Sequence, residues 1–378
     1  MKINQSGIAH VAIILVVIII SIGFIGFKVG IRSDKSATNA VAKQAIVSTA
    51  APASTTAKTQ AKVAIIDPFT QPQTIGDGKV STSAPQKGYV YSCSTGSSGV
   101  GATKDGNWVS GTQYDPAKKL HVQGDVVWSA ARVSITTSSA IRTISSNDLP
   151  DHQTGTFPIA STDPAYVYDR NPNSIVSQTE SFSLPVTPSA QASPSCLAGG
   201  AIGVMANGVL LFDALDAQNR DAVAHEVQDS CAGHPEKQGS YHYHGYSPCF
   251  KSASAKTVIG YALDGYGVTG PKKDDGNYYA TADLDTCHGT TSTITWDGKS
   301  VSMYHYVMTA DYPYSIGCYH GKTSQTASVG AAPTSTAPNS GPSSAVLPSQ
   351  VPTTTTTPPT NAPKLGAQPT GPPPPPHR

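Results

Sequence analysis

At 378 residues, with 25 Lys and Arg against 24 Asp and Glu, the chain has a formal net charge of +1, which leaves no electrostatic case for a nucleic-acid partner. Length alone allows two domains, but only 13% of residues are charged while Gly and Pro number 34 and 30, which removes much of that allowance. The six cysteines include no Cys-x-x-Cys pair, which argues against a thiolate zinc ribbon or a thioredoxin-type site and for three disulfides formed outside the cytoplasm.

The chain opens on an apolar run. Residues 3–27 carry no formally charged side chain, long enough for a bilayer span of ~20 residues. Residues 1–32 are expected to be an N-terminal transmembrane helix, meeting the membrane through residues 8–27. A signal peptide is the alternative, with secretion after cleavage. Against it, the run is long for a signal, and the first Ala-x-Ala, Ala40-Val41-Ala42, lies well beyond it. Lys28, Arg32 and Lys35 follow the span and only Lys2 precedes it, which by charge alone places the remainder in the cytoplasm. The cysteines argue the other way and outweigh this small imbalance, which Asp34 partly offsets. The domain is therefore expected outside the cytoplasm.

Residues 33–84, rich in Ala, Ser and Thr, read as a flexible linker. Residues 323–378 carry fourteen of the thirty prolines and the run Thr353–Thr357; such a segment cannot bury enough apolar surface to offset its ordering entropy and reads as a disordered tail. Contact with a cell wall or polysaccharide would suit it.

Between them, residues 85–322 form one domain. Its apolar runs are short and closely spaced by turn formers such as Asp105-Gly106-Asn107 and Asp297-Gly298. Strands are expected at Val126–Trp128, Arg132–Thr136, Tyr166–Tyr168, Val258–Leu263, Ser292–Trp296 and Met303–Met308. Asn207-Gly208, between Ala201–Met205 and Val209–Phe212, is the strongest hairpin signal. One short helix is expected near Asp221–Val227. The fold class is thus mainly β, a single disulfide-bonded sandwich- or barrel-like domain with few short helices.

Chemistry concentrates in one stretch. Three of the eleven histidines, His234, His242 and His244, fall within eleven residues bracketed by Cys231 and Cys249. In an extended Tyr241-His242-Tyr243-His244 the two histidines share one face and the tyrosines the other. The stretch has a partial twin. Asp229-Ser-Cys231-Ala-Gly233 precedes Tyr241-His242-Tyr243, and Asp285-Thr-Cys287-His-Gly289 precedes Tyr304-His305-Tyr306; Cys249 closes the first copy and Cys318 the second. A duplicated hairpin of this kind pairs Cys231 with Cys249 and Cys287 with Cys318, leaving Cys93 for Cys196, one of fifteen pairings six cysteines allow. If the copies pack together, His305 comes near His242 and His244.

These residues carry a resemblance. The chain resembles the YHYH-domain family, named for the Tyr241–His244 motif. The likeness also takes in Asn147–His152, Ala165–Pro172, Asn207–Val209, Arg220–Glu226, Gly260–Gly265 and Asp311–Cys318. The second copy departs from a full motif, with Val307 where a second histidine would stand. The resemblance implies an exported domain and names no reaction.

A transition-metal site is the reading that clustering favours, with His234, His242 and His244 as ligands. Additional ligands or acceptors that fix the imidazole tautomers would come from His225, Glu226, Asp229, Asp264 or His305. With four methionines in all, a thioether copper(I) site is disfavoured, and zinc or copper(II) suits the donors. Two other classes compete. One is an extracytoplasmic hydrolase or transferase acting on a cell-envelope substrate, with His225, Glu226, Asp229 and the clustered histidines as acid and base, or with Cys318 of Ser315-Ile-Gly-Cys318 as nucleophile, which requires a free thiolate. The other is a non-catalytic surface binding module, for which the 17 tyrosines supply faces with polar tips.

Overall fold

Asn207-Gly208 turns the chain as its composition dictates: Gly208 takes φ 89°, and the strands it joins, β1 (Ala201–Met205) and β2 (Leu210–Phe212), pair antiparallel. In this computed structural model, which describes residues 64–94 and 101–323, the hairpin begins an eight-stranded sheet. The other strands are β3 (Gly233–Pro235), β4 (Tyr241–Tyr243), β5 (Val258–Ala262), β6 (Gly267–Thr269), β7 (Gly289–Trp296) and β8 (Lys299–Val307). They lie side by side in the order β3-β4-β2-β1-β5-β6-β8-β7. The sheet is open, with β3 and β7 at its edges, and does not close into a barrel. A three-stranded antiparallel sheet of Val133–Thr137, Ile141–Ser146 and Glu180–Pro185 packs Ile144, Phe182 and Leu184 against Val204 and Leu210.

The two halves, β1–β4 and β5–β8, repeat one plan. In each, a turn (Asn207-Gly208, Asp264-Gly265) joins the first two strands, the fourth strand pairs parallel to the second, and the third pairs antiparallel outside the fourth. β1 and β5 meet antiparallel at the centre. Register is repeated too: His234 faces His242 as Thr290 faces His305, and Gly233 faces Tyr243 as Gly289 faces Tyr306.

The shared motif has a physical basis. Asp229 accepts from the Tyr241 hydroxyl and from the backbone N–H of Cys231 and Gly233. Asp285 accepts from the Tyr304 hydroxyl and the N–H of Cys287 and Gly289. The residue before each glycine, Ala232 or His288, sits at positive φ, 60° and 70°. A Cβ on Gly233 would lie 2.3 Å from the Tyr241 ring, and one on Gly289 2.1 Å from the Tyr304 hydroxyl; only glycine lets the tyrosine cross there. Each unit is closed by a disulfide, Cys231–Cys249 and Cys287–Cys318, and Cys93–Cys196 completes the set. These are the pairs the duplication implies.

The copies do not pack together, however. Between β4 and β8 lie four strands, so His305 is removed from His242 by five strand spacings, on the order of 24 Å.

Other expectations are revised. Tyr166–Tyr168 is not a strand: Asp163 caps a 3-10 turn at Pro164–Val167, with Pro164 in its first position. Val126–Trp128 contributes an isolated bridge, Val126 to Thr154. The helix shortens to α1 (Ala222–His225), capped by Asp221. Residues 64–84 belong to the packed body instead of a linker: Ile75 is buried, the Gly76 N–H donates to the Asp221 carboxylate at 2.8 Å, and Val80–Ser81 pairs with Val90–Tyr91. Nine of the seventeen tyrosines are buried and pack the core, so tyrosine content does not mark a binding surface. Among the described residues no helix is long and apolar enough to cross a membrane; the expected anchor (1–32), most of the expected linker and the tail beyond residue 323 lie outside them.

Candidate metal centre

Three short segments deliver the site. β3 carries His234 and β4 carries His242, paired directly across the ladder, and His244 follows two residues on, on the same face. The third segment is the turn after α1. Asp221 caps the helix by accepting from the Ala224 N–H, the Glu226 N–H closes on the Ala222 carbonyl, and the Val227 N–H is held by Asp169 at 3.0 Å. Glu226 is thereby aimed at the histidines. Its Oε2 lies 3.4 Å from His234 Nε2 and 3.5 Å from His244 Nε2.

The imidazole tautomers follow from their partners. His242 Nδ1 is 3.2 Å from the Ser240 carbonyl, and His244 Nδ1 meets the Asp213 carbonyl. A carbonyl only accepts, so each Nδ1 carries the proton and each Nε2 presents a lone pair. Those two Nε2 atoms are 3.1 Å apart. Two lone pairs at that distance repel unless a cation lies between them. Both nitrogens of His234 and Oε2 of Glu226 are buried without a hydrogen-bond partner, which costs ~1–3 kcal/mol for each group left unsatisfied. Four donors at ~2.05 Å from one ion in a tetrahedral array would be ~3.3 Å apart; the observed 3.1, 3.4 and 3.5 Å match that edge.

Electrostatics prepare the same set. Burial drives His234 and His242 well below the ordinary imidazole pKa and His244 down to about 4, so all three are neutral imidazoles near pH 7, the form that can ligate a metal. Burial, with Asp169 and Asp216 nearby, pushes Glu226 well up. A bound cation would reverse that penalty. Phe212 at the end of β2 stacks on His242 with ring centroids 4.0 Å apart, and the Ser240 hydroxyl is held by buried Asp148, fixing the segment whose carbonyl orients His242. All four donors line a cleft of about 1030 Å³.

Of the additional candidates, only Glu226 joins. His225 bridges Asp105 at 2.7 Å and Asp77 at 2.9 Å. Asp229 is consumed by the turn and Tyr241. Asp264 accepts from the Tyr306 hydroxyl at 2.6 Å and the Gly321 N–H at 2.8 Å in the other half. His305 sits with Thr290 and Val307 where the first half has His234 and His244. Sequence reasoning missed Phe212, Asp148 and the Asp213 carbonyl. The parallel pairing of Leu210 with His242 brings Phe212 alongside, and no local pattern announces a parallel partner. His152 also approaches Cys231 and Cys249, but those sulfurs are bonded to each other, and the imidazole Nε2 meets the Tyr243 hydroxyl at 2.6 Å.

A family described as YHYH protein matches residues 181–278, the span that holds β1 to β6 and all four donors. The chain carries a YHYH domain. The match ends before Cys287 and His305, so β7 and β8 lie beyond it. No curated protein and no solved structure matches the chain. Within the YHYH domain the geometry divides the motif: Tyr241 and Tyr243 are buried scaffold on one face, and His242 and His244 join His234 in the cluster on the other.

Proposed function

We propose that the YHYH domain binds one transition-metal ion, zinc or copper(II), through His234, His242, His244 and Glu226. The observation that carries this is the pair of Nε2 lone pairs 3.1 Å apart with the unpartnered Glu226 oxygen beside them. Three imidazoles and one carboxylate suit either ion. The ion-binding domain stands outside the cytoplasm, anchored through residues 8–27, a placement supported by the three disulfides and the apolar N-terminal run. A cysteine nucleophile at Cys318 is set aside because its sulfur is bonded to Cys287.

Elemental analysis of protein purified without a metal-affinity tag tests the proposal. About one equivalent of zinc or copper is expected, or its uptake by the metal-free protein, with loss in His242→Ala/His244→Ala while the disulfides remain intact. Folded protein that takes up neither ion would refute it.

A further inference from the structure

We infer that the ion in this site, held by four protein donors, takes a fifth ligand on the side facing the cleft, and that this ligand is an oxyanion, a carboxylate or phosphate group of a molecule lying along the cleft. This rests on the metal reading above and adds to it what the site is for. The donors approach from the sheet and from the turn after α1, and the opposite side is the cleft. Its volume of about 1030 Å³ reaches the top of the ~300–1,000 Å³ range of small-molecule sites.

Among the described residues lining the cleft, each other carboxylate is already engaged through at least one oxygen. Asp169 accepts from the N–H of Val227 and Asn171. Asp213 accepts from Leu215. Asp216 is paired with Arg220 at 2.7 Å, and Glu236 holds the N–H of Gln238 and Ser240.

Charge selects the ligand class. Three neutral imidazoles, one carboxylate and a divalent ion leave the buried centre with one positive charge, and a monoanion cancels it at a desolvated position. The cleft also presents Arg170 and Lys237. Neither has an ion-pair partner among the described residues, and Arg170 is engaged only by the Tyr166 ring, 5.4 Å away. Both are exposed, at the mouth, where they would meet a ligand whose anionic group reaches the ion. Phe212, stacked on His242, supplies the apolar wall.

Cobalt(II)-loaded protein gives the test, because its visible d–d absorption reports coordination directly. Azide, acetate and inorganic phosphate are titrated against it, in the parent protein and in Arg170→Ala/Lys237→Ala. A saturable spectral change with azide, competed by acetate and phosphate, is expected. In the double variant, phosphate should weaken about tenfold while azide, which probes only the ion, stays within about twofold. A cobalt spectrum unmoved by all three anions would overturn the fifth ligand. Equal phosphate affinity in the parent and the variant would overturn the oxyanion assignment. Absence of any cobalt spectrum would instead remove the metal reading itself.

Discussion

His242 and His305 hold the same place in the two halves of the sheet, each with Nδ1 3.2 Å from the carbonyl two residues earlier, Ser240 in one case and Met303 in the other. One stands in a cluster of donors. The other has Ser292 Oγ at 3.5 Å, with Thr290 opposite and Val307 two residues on. The scaffold is duplicated and the donor set is not.

That relationship makes the second half a test of the first. Thr290→His with Val307→His rebuilds three imidazoles around His305. Metal stoichiometry should rise from about one to about two, the new site binding more weakly because it lacks a Glu226: Ala282 stands three residues before Asp285, as Glu226 does before Asp229. A circular-dichroism spectrum matching the parent would show the variant folded; unchanged stoichiometry in folded protein would contradict the proposed donor geometry.

Glu226→Gln separates binding from folding. Burial raises the Glu226 pKa well above normal, which favours the neutral acid in metal-free protein, and glutamine copies that form in shape and charge. Stability of the metal-free protein should change by less than ~0.5 kcal/mol. Metal affinity should fall at least about tenfold, read by competition with a chromophoric chelator.

The pH dependence of metal-free stability follows from His244. Its pKa falls from 6.5 to about 4 on folding, so below pH 6.5 the unfolded chain binds the proton that the folded chain refuses. The contribution is complete above pH 6.5 and is lost as pH falls toward 4, on the order of 3 kcal/mol. Asp213, raised to about 7 by burial, works in the opposite direction over the same range. The quantity to measure is therefore the difference in urea-unfolding free energy between parent and His244→Gln, which should narrow with acidification. A difference constant from pH 7 to 4 would contradict the assignment.

Cys231–Cys249 closes a loop of sequence separation 18 that contains β3 and β4. Replacing both with serine should cost about 3 kcal/mol by loop entropy and weaken metal binding as well, because the loop that carries His234 and His242 is then closed by hydrogen bonds alone. Denaturant unfolding and metal titration of the same variant read the two effects separately. Parent-like affinity would show the hairpin to be preorganised without the bond.

Much of this could be read locally. Alternation in Tyr241–His244 places the histidines on one face because strand side chains repeat every two residues, and Asn207-Gly208 specifies its hairpin through positive φ. The Asp-x-Cys-x-Gly repeat announces the duplication and the cysteine pairs that go with it. Other features depend on which strands become neighbours. Residues 64–84 look like a linker because their composition is polar, yet Gly76 and Asp77 meet Asp221 and His225 across almost 150 residues.

The same limit runs through the site. Composition and spacing by themselves determined a mainly β, disulfide-linked domain with a histidine cluster at 234–244, since those features follow from backbone periodicity and side-chain chemistry within a few residues. Only the tertiary structure decided that Glu226 joins the cluster while His225, one residue earlier, turns away to Asp77 and Asp105, and that His305 lies on the far wing. Strand order and the direction of a helix-end turn are set by packing across the whole sheet, which no local pattern encodes.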